Sequence, residues 1–63
     1  MTIEERLHNL STKGISMKLI SKLSEVPLET IYNVSRGRLK NLSTDREERL
    51  LEAITKAEEL IND

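Results

Sequence analysis

The chain has 63 residues, of which 37% are hydrophobic and 33% charged, with Tyr32 as its only aromatic residue and no cysteine. A chain of this length forms one domain that buries only about 60% of its unfolded surface, and neither disulfides nor a zinc site built on one histidine can add to its stability. No apolar run approaches the roughly 20 residues of a membrane span, and the N-terminus lacks a signal-peptide pattern, so we expect a cytoplasmic protein.

The net charge of −1 conceals a division between two parts of the chain. Residues 13–40 carry six Lys or Arg and two Glu, a net charge of +4, whereas residues 41–63 carry three basic and seven acidic side chains, a net charge of −4. A basic part of this kind is what a phosphate-facing surface requires. The alternative is that so short a chain acquires the division by chance.

The first helix is bounded by recognisable caps. Thr2 followed by Glu5 is the pattern of a capping box, which predicts a helix that starts at Ile3. Gly14 is a favourable C-cap and predicts that this helix ends at residues 12–13.

The second and third helices follow with only a short turn between them. Ser16 is a good N-cap for a second helix over residues 17–24. Residues 25–27 are predicted as the turn. Because proline is tolerated only at the start of a helix, the third helix is expected to begin at Pro27, and Gly37 ends it.

Apolar residues in this stretch predict that the two helices pack as a helix-turn-helix. Ile20 and Leu23 share one face of the second helix. Ile31 and Val34 share a face of the third, and Val26 lies at the corner between them. This packing leaves one face of the third helix pointing outward, where side chains can reach base edges in a DNA major groove. The outer face carries Leu28, Glu29, Tyr32, Asn33 and Arg36.

The connection to the last helix is predicted as a loop, with Leu39 and Leu42 tucked under the core. Thr44 and Glu47 are spaced as a second capping box and predict a last helix over residues 45–62. The whole chain is therefore predicted to be all-α, a compact four-helix domain over residues 1–63 with a central helix-turn-helix and a long C-terminal helix.

An apolar seam along the last helix is spaced like a short coiled coil and makes residues 44–62 a candidate dimerisation helix. We expect the seam to be shared between the core and a dimer interface, with its last two turns extending beyond the core. The alternative is that it packs entirely against the first helix. The predicted interface residues are Leu50, Ile54, Ala57, Leu60 and Ile61.

The segment ISKLSEVPLETIYNVSRG, residues 20–37, resembles the helix-turn-helix of the phage-repressor and Cro type, the lambda-repressor-like family. Ile20 corresponds to the aliphatic residue that opens the family pattern, Ser21 to the small residue after it, and Val26 to the aliphatic residue of the turn. Ile31 and Val34 correspond to the two apolar residues of the recognition helix.

The segment LSTDREERLLEAI, residues 42–54, resembles the capped helix that follows in headpieces of the lactose-repressor type, and the likeness extends over about residues 15–55. Two positions depart from the family. Glu25 stands where glycine is usual, at a position that often needs a positive φ, which costs another residue about 1–2 kcal/mol. Either the turn is reshaped or the strain is accepted. Pro27 stands where Ser or Thr often caps the recognition helix.

The resemblance implies that the outer face of the third helix reads bases. Asn33 can pair bidentately with adenine, Glu29 can accept a hydrogen bond from cytosine N4, and Leu28 can pack on a thymine methyl group. Tyr32 can offer a ring contact or a phosphate hydrogen bond, and Arg36 can reach guanine or a phosphate. The alternative for each is a solvated helix face, and Glu29 also suits the positive N-terminus of its helix.

Polar residues that flank the recognition helix are predicted to contact DNA phosphates, with ordinary surface positions as the alternative. They are Ser16, Lys18, Lys22, Thr30, Arg38, Lys40 and Asn41.

Together these features predict a sequence-specific regulator that binds double-stranded DNA as a homodimer, on a near-palindromic operator with half-sites about 34 Å apart. The resemblance implies a repressor or autoregulator of phage or mobile-element type in a bacterial cell. Because the sequence has no metal-ligand spacing, we expect no metal, and no cofactor or small-molecule ligand is evident. The alternative is a helix-turn-helix that became a protein-interaction module, such as an antirepressor, an adaptor or an inhibitor of a host protein. Leu28, Glu29 and the near-neutral net charge favour this alternative.

Nothing in the sequence indicates an enzyme. His8 is predicted to be a surface residue, and the carboxylates of the last helix are predicted to form a solvated face. No serine or threonine has a histidine placed to activate it, and no glycine-rich phosphate loop is present.

Overall fold

A computed structural model of the chain describes residues 2–38 and 42–61. It contains four helices: α1 (Ile3–Thr12), α2 (Met17–Ser24), α3 (Leu28–Ser35) and α4 (Thr44–Ile61). The prediction of an all-α, four-helix fold with a long C-terminal helix is confirmed. The predicted positions of Leu39, Lys40, Asn41 and Asn62 lie outside the described residues.

The helix α1 is bounded by the caps that the sequence predicts. The Thr2 hydroxyl accepts a hydrogen bond from the Glu5 N–H at 3.2 Å, and the Glu5 carboxylate accepts one from the Thr2 N–H at 3.3 Å. At the other end Gly14 has a φ of 93°, and the Ile15 N–H donates to the Leu10 carbonyl at 3.0 Å. Backbone groups at both ends of α1 that lack partners within the helix thus find hydrogen-bond partners nearby, and the predicted capping box is confirmed.

Two serines hold the turn between α2 and α3. The Ser24 hydroxyl donates to the Ile20 carbonyl at 2.7 Å and accepts from the Val26 N–H at 3.2 Å. The Ser21 hydroxyl donates to the Val26 carbonyl at 2.7 Å. The hydrogen bond at the Val26 N–H is buried and the one at the Val26 carbonyl is partly buried, so these two hydroxyls satisfy backbone groups that are shielded from water to different degrees. Val26 fills the corner as predicted.

Glu25 adopts the left-handed conformation, with φ 59° and ψ 23°. The turn is therefore not reshaped, and the strain of a non-glycine residue at this position is accepted. Its N–H still donates to the Ser21 carbonyl at 2.9 Å. Its carboxylate lies 3.4 Å from Arg49, but both side chains are exposed, so this ion pair offsets little of the strain.

Replacing Glu25 with glycine is expected to raise the free energy of unfolding by about 0.5–1 kcal/mol, because the strain of about 1–2 kcal/mol disappears while the more flexible unfolded chain offsets part of the gain. Urea denaturation followed by circular dichroism measures the change. Glu25→Ala is the matched control, since it removes the same ion pair and keeps the strain. A glycine variant no more stable than this control would contradict the prediction.

The core face of α2 differs from the prediction. Met17, Ile20 and Ser24 are buried, whereas Leu23 is 41% exposed. Leu23 and Ser24 lie about 100° apart around α2, and the neighbouring helices cover the side that carries Ser24. Ser24 takes the inner position, where its hydroxyl serves the turn, and Leu23 lies at the groove between α2 and α4.

Two predicted helix starts are wrong by one residue. Pro27 has an extended ψ of 139° and is the N-cap of α3, so the helix itself begins at Leu28. The helix α4 begins at Thr44, because the Ser43 hydroxyl accepts from the Arg46 N–H at 3.3 Å and the Ser43 carbonyl accepts from the Glu47 N–H at 2.9 Å. Ser43 occupies the capping position, so the second capping box, predicted with Thr44 as the cap, does not form.

The four helices share one aliphatic core. The helix α3 packs on α1 and α2, and α4 packs on α2 and α1. Leu42 and Ile61 are partly buried against the core. The fully packed apolar residues are Leu7, Leu10, Met17, Ile20, Val26, Ile31, Val34, Leu50, Ala53, Ile54 and Ala57.

A bidentate ion pair ties the end of α4 to α1. Arg6 Nη2 lies 2.5 Å from Glu58 Oε1, and Arg6 Nε lies 3.1 Å from Glu58 Oε2. Both side chains are about three-quarters covered, with exposed fractions of 23% and 27%. The last turns of α4 therefore pack on the domain, and the prediction that they extend beyond the core is wrong.

We expect the protein to lose stability in acid as Glu58 is protonated. The hydrogen bond from Arg6 lowers the pKa of Glu58 below its ordinary value of 4.5. Because the folded-state pKa is depressed, the stabilisation is fully present above the unfolded-state value and is lost as the pH falls through the folded-state value. Arg6→Ala is expected to cost about 1 kcal/mol at neutral pH and to flatten this dependence below pH 4.5.

Urea denaturation at several pH values measures the effect. Lys56→Ala is the matched control, because it removes an exposed pair with Glu52 on the same helix and should cost only a few tenths of a kcal/mol. An Arg6→Ala variant with the acid dependence of the wild type would show that the Arg6–Glu58 pair is not its source.

Candidate nucleic-acid interface

The helix α3 has one buried face and one outward face. Ile31 and Val34 are buried between α3 and its neighbours. Glu29, Tyr32 and Arg36 are exposed on the other side. The helix-turn-helix thus orients α3 as the sequence predicts, with a polar face on the surface.

Two of the predicted base readers are less accessible than expected. Leu28 is partly buried against the core, because it precedes Ile31 by three residues and shares its face. Its presence on the helix therefore has a structural reason, and only part of its side chain can meet a ligand. Asn33 is half-buried, and its main-chain carbonyl accepts a hydrogen bond from the Arg38 N–H at 2.9 Å in the turn after α3.

Arg36 is held over the ring of Tyr32. Its guanidinium carbon lies 5.4 Å from the ring centroid, within the range of a cation–π contact. Tyr32 is 40% exposed and Arg36 is exposed as well, so the guanidinium remains accessible to solvent beside the ring. This contact gives Arg36 a preferred direction, which a free arginine side chain lacks.

The predicted phosphate-contacting residues are spread around α3. Ser16, Lys18, Lys22 and Arg38 are exposed, and Thr30 is half-buried. The Ser16 hydroxyl accepts from the Leu19 N–H at 3.1 Å as the cap of α2, which leaves its own proton available to a ligand. Lys40 and Asn41 belong to the part of the chain that the structure does not describe.

The charge division of the sequence has a counterpart in the ion pairs. On α4, Arg49 pairs with Asp45 and Lys56 pairs with Glu52. In the described ranges 2–38 and 42–61, no ion pair involves Lys18, Lys22, Arg36 or Arg38. These four cations near α3 are therefore not neutralised by described carboxylates, whereas Arg49 and Lys56 of α4 are.

The structure also brings α1 to the side of α3, which the sequence did not predict. A surface depression, which we call the three-helix notch, lies where α1, the start of α2 and the end of α3 meet. His8 and Ser11 are one helical turn apart on α1, and this spacing was the only feature of the sequence that could have indicated the notch. The notch is lined by His8, Ser11, Met17, Tyr32, Ser35 and Arg36 over a floor of Leu7.

Most of the predicted dimer interface lies in the core. Leu50, Ile54 and Ala57 have no exposed surface, so they cannot contribute area to an interface between folded protomers. Ile61 is partly buried, and Leu60 is 64% exposed. The seam is used by packing inside the protomer, against α2 as well as α1, whereas the alternative expectation was packing against the first helix alone. Only Leu60 projects fully from it.

Among residues 2–38 and 42–61, no group of three or more His, Asp or Glu side chains is placed to hold a metal ion. Over the same ranges, no helix combines the length and the apolar character needed to cross a bilayer. Comparisons with protein-family models, curated proteins and solved structures give no significant match.

Proposed function

We propose that this protein is a sequence-specific regulator that binds double-stranded DNA, with α3 as the helix that enters the major groove. The observation that carries the proposal is the outward face of α3. This face presents Glu29, Asn33 and Arg36 on a helix whose other side is anchored by Ile31 and Val34. A short helix held in this way can enter a groove without losing its packing.

Electrostatics support the same surface. Lys18 and Lys22 on α2 and Arg38 after α3 are exposed and have no ion pair among the described residues. Cations of this kind attract the phosphate backbone and displace its counterions.

Each side chain of the outward face has a chemical role in this proposal. Asn33 offers an amide that can pair with adenine N6 and N7, and Glu29 offers an acceptor for cytosine N4. The exposed part of Leu28 can pack on a thymine methyl group. Tyr32 and Arg36 lie toward α1, at the edge of the face, where the DNA backbone would run.

We propose further that two copies bind a near-palindromic operator in a bacterial or phage-infected cell, with half-site centres about 34 Å apart. Repression then follows from blocking the polymerase. Leu60 is the exposed apolar residue of α4 that a second copy can cover. Removing residues 57–63 does not test this idea cleanly, because it also removes buried Ala57 and the Arg6–Glu58 pair. Leu60→Glu leaves both in place.

The experiment is a selection of bound sequences from a random duplex pool, repeated at about 50 and 200 mM salt, between which phosphate-mediated binding falls by orders of magnitude. Enrichment of a palindrome supports the proposal and a dimer. Asn33→Ala is then expected to cost about 1–3 kcal/mol on the selected duplex and to relax the preference at one base pair. Lys56→Ala on α4 is the control and should bind as the wild type does.

A pool with no enrichment at either salt concentration would overturn the proposal. It would favour the rival function, a protein-interaction module on the same scaffold. Enrichment of single half-sites, with the same affinity for wild type and Leu60→Glu, would retain DNA recognition and reject the dimer.

A further inference from the structure

The three-helix notch gathers hydrogen-bond donors from separate parts of the chain. Arg36 and Tyr32 line one side of the notch, and His8 and Ser11 line the other. The Ser11 hydroxyl has no hydrogen-bond partner among the described side chains, whereas the Ser35 hydroxyl already donates to the Tyr32 carbonyl at 2.9 Å. The Arg36 guanidinium, the Ser11 hydroxyl and the His8 imidazole are thus available to one ligand. The Ser35 hydroxyl proton is already used in a hydrogen bond.

The lining is cationic or neutral and contains no carboxylate. The adjoining depression shares His8 and Ser35 but is lined by Glu4 and Glu5, and the Glu4 carboxylate also approaches Gly37 at the end of α3. An anion is therefore favoured at the Arg36 end of the notch and disfavoured beyond His8. Arg36 is held there by the Tyr32 ring and has no ion pair within residues 2–38 and 42–61.

We propose that the three-helix notch binds one phosphate group. The Arg36 guanidinium supplies the charge and paired donors that match phosphate oxygens, and Ser11 and His8 each donate one hydrogen bond. This inference rests on the proposed function for the source of the phosphate, which is a backbone phosphate at the rim of the groove that α3 enters. A free phosphorylated molecule has the same chemistry and is the other source that the test distinguishes.

A phosphate bound in the notch would affect how the domain is oriented on DNA. A phosphate held between α1 and α3 would add a fixed point to the contacts from α2 and α3 and would help to set which side chains of α3 face the bases. His8 and Ser11 would then be positioning residues rather than base readers.

The first measurement follows the backbone amide signals of the protein by NMR while inorganic phosphate replaces chloride at constant ionic strength. We expect saturating shifts for Ser11, Met17 and Tyr32 that are absent in Arg36→Ala. Ser11→Ala is a second variant whose folding is secure, because Ser11 is exposed and alanine favours a helix. It should weaken the phosphate affinity by about 2–10-fold.

The second measurement is the dependence of DNA affinity on salt. Losing one phosphate contact is expected to reduce the slope of log affinity against log salt by about 0.9 in Arg36→Ala. Lys56→Ala removes the same charge from α4 and should leave the slope unchanged.

The outcomes separate this inference from the proposed function. Phosphate shifts together with the reduced slope support a backbone phosphate in the notch. Phosphate shifts without any DNA binding support the notch as a site for a free phosphorylated ligand and reject the DNA-binding function. DNA binding with an unchanged slope in Arg36→Ala rejects the backbone phosphate, and the lack of phosphate shifts in the wild type rejects the site.

Discussion

Leu50→Ala is expected to lower the free energy of unfolding by about 2–5 kcal/mol. Leu50 has no exposed surface and lies on α4 where this helix meets the rest of the core. Its truncation removes apolar contacts from every side and leaves a cavity that a small domain cannot fully close. A domain of 63 residues has a total stability of only about 3–9 kcal/mol, so the variant should be partly unfolded at 37 °C.

Leu60→Ala is the matched control for this prediction, because it makes the same change on the same helix at a residue that is 64% exposed. At protein concentrations where the chain is monomeric, it should alter the stability by no more than about 0.5 kcal/mol. Thermal and urea denaturation measure both variants. A Leu50→Ala protein that is as stable as the wild type but has lost self-association would restore Leu50 to a dimer interface and contradict its place in the core.

Ser24→Ala is expected to cost about 1–3 kcal/mol. The serine is 2% exposed, and its hydroxyl accepts from the buried Val26 N–H while donating to the Ile20 carbonyl. Alanine keeps the shape of the side chain and removes both hydrogen bonds, so the Val26 N–H is left without a partner. Because this N–H lies in the turn that sets α3 against α2, the proposed binding to DNA should weaken together with the stability.

Ser11→Ala is the control for stability, since Ser11 is exposed on α1 and the same atom is removed. It should be neutral or slightly stabilising. Hydrogen exchange adds a local readout: the Val26 amide should exchange faster in Ser24→Ala, relative to the amides of α1. Equal protection of Val26 in the variant and the wild type would show that the hydroxyl is not what satisfies this amide.

Helix positions were predictable because their signals are local. The bounds of α1 and α2 follow from Thr2, Gly14 and Ser16, each of which acts on backbone groups within a few residues. The left-handed turn at Glu25 was also foreseen as one of two outcomes, because the resemblance to the phage-repressor type implies a position that often needs a positive φ. Ser43 and Thr44 are neighbours that can both cap the N-terminus of α4, and the prediction that Thr44 is the cap was wrong.

Burial was less predictable, because it depends on what each helix meets. Leu23 is more hydrophobic than Ser24, yet Ser24 lies inside because the turn needs its hydroxyl. The seam of α4 has the spacing of a dimer interface, yet α1 and α2 cover most of it. A hydrophobic pattern predicts that one face of a helix will be buried, but it does not predict which helix or which second protomer will cover it.

The sequence by itself determined that this chain forms four helices, where most of them start and stop, and that α3 has an apolar face and a polar face. Caps, glycines and helical spacing act over a few residues, so they can be read along the chain. Only the tertiary structure decided that the apolar seam of α4 packs inside the protomer. It also decided that Arg6 holds the end of α4 and that His8 and Ser11 lie beside Arg36. These contacts join residues far apart in the chain, and they depend on how four packed surfaces share one small core.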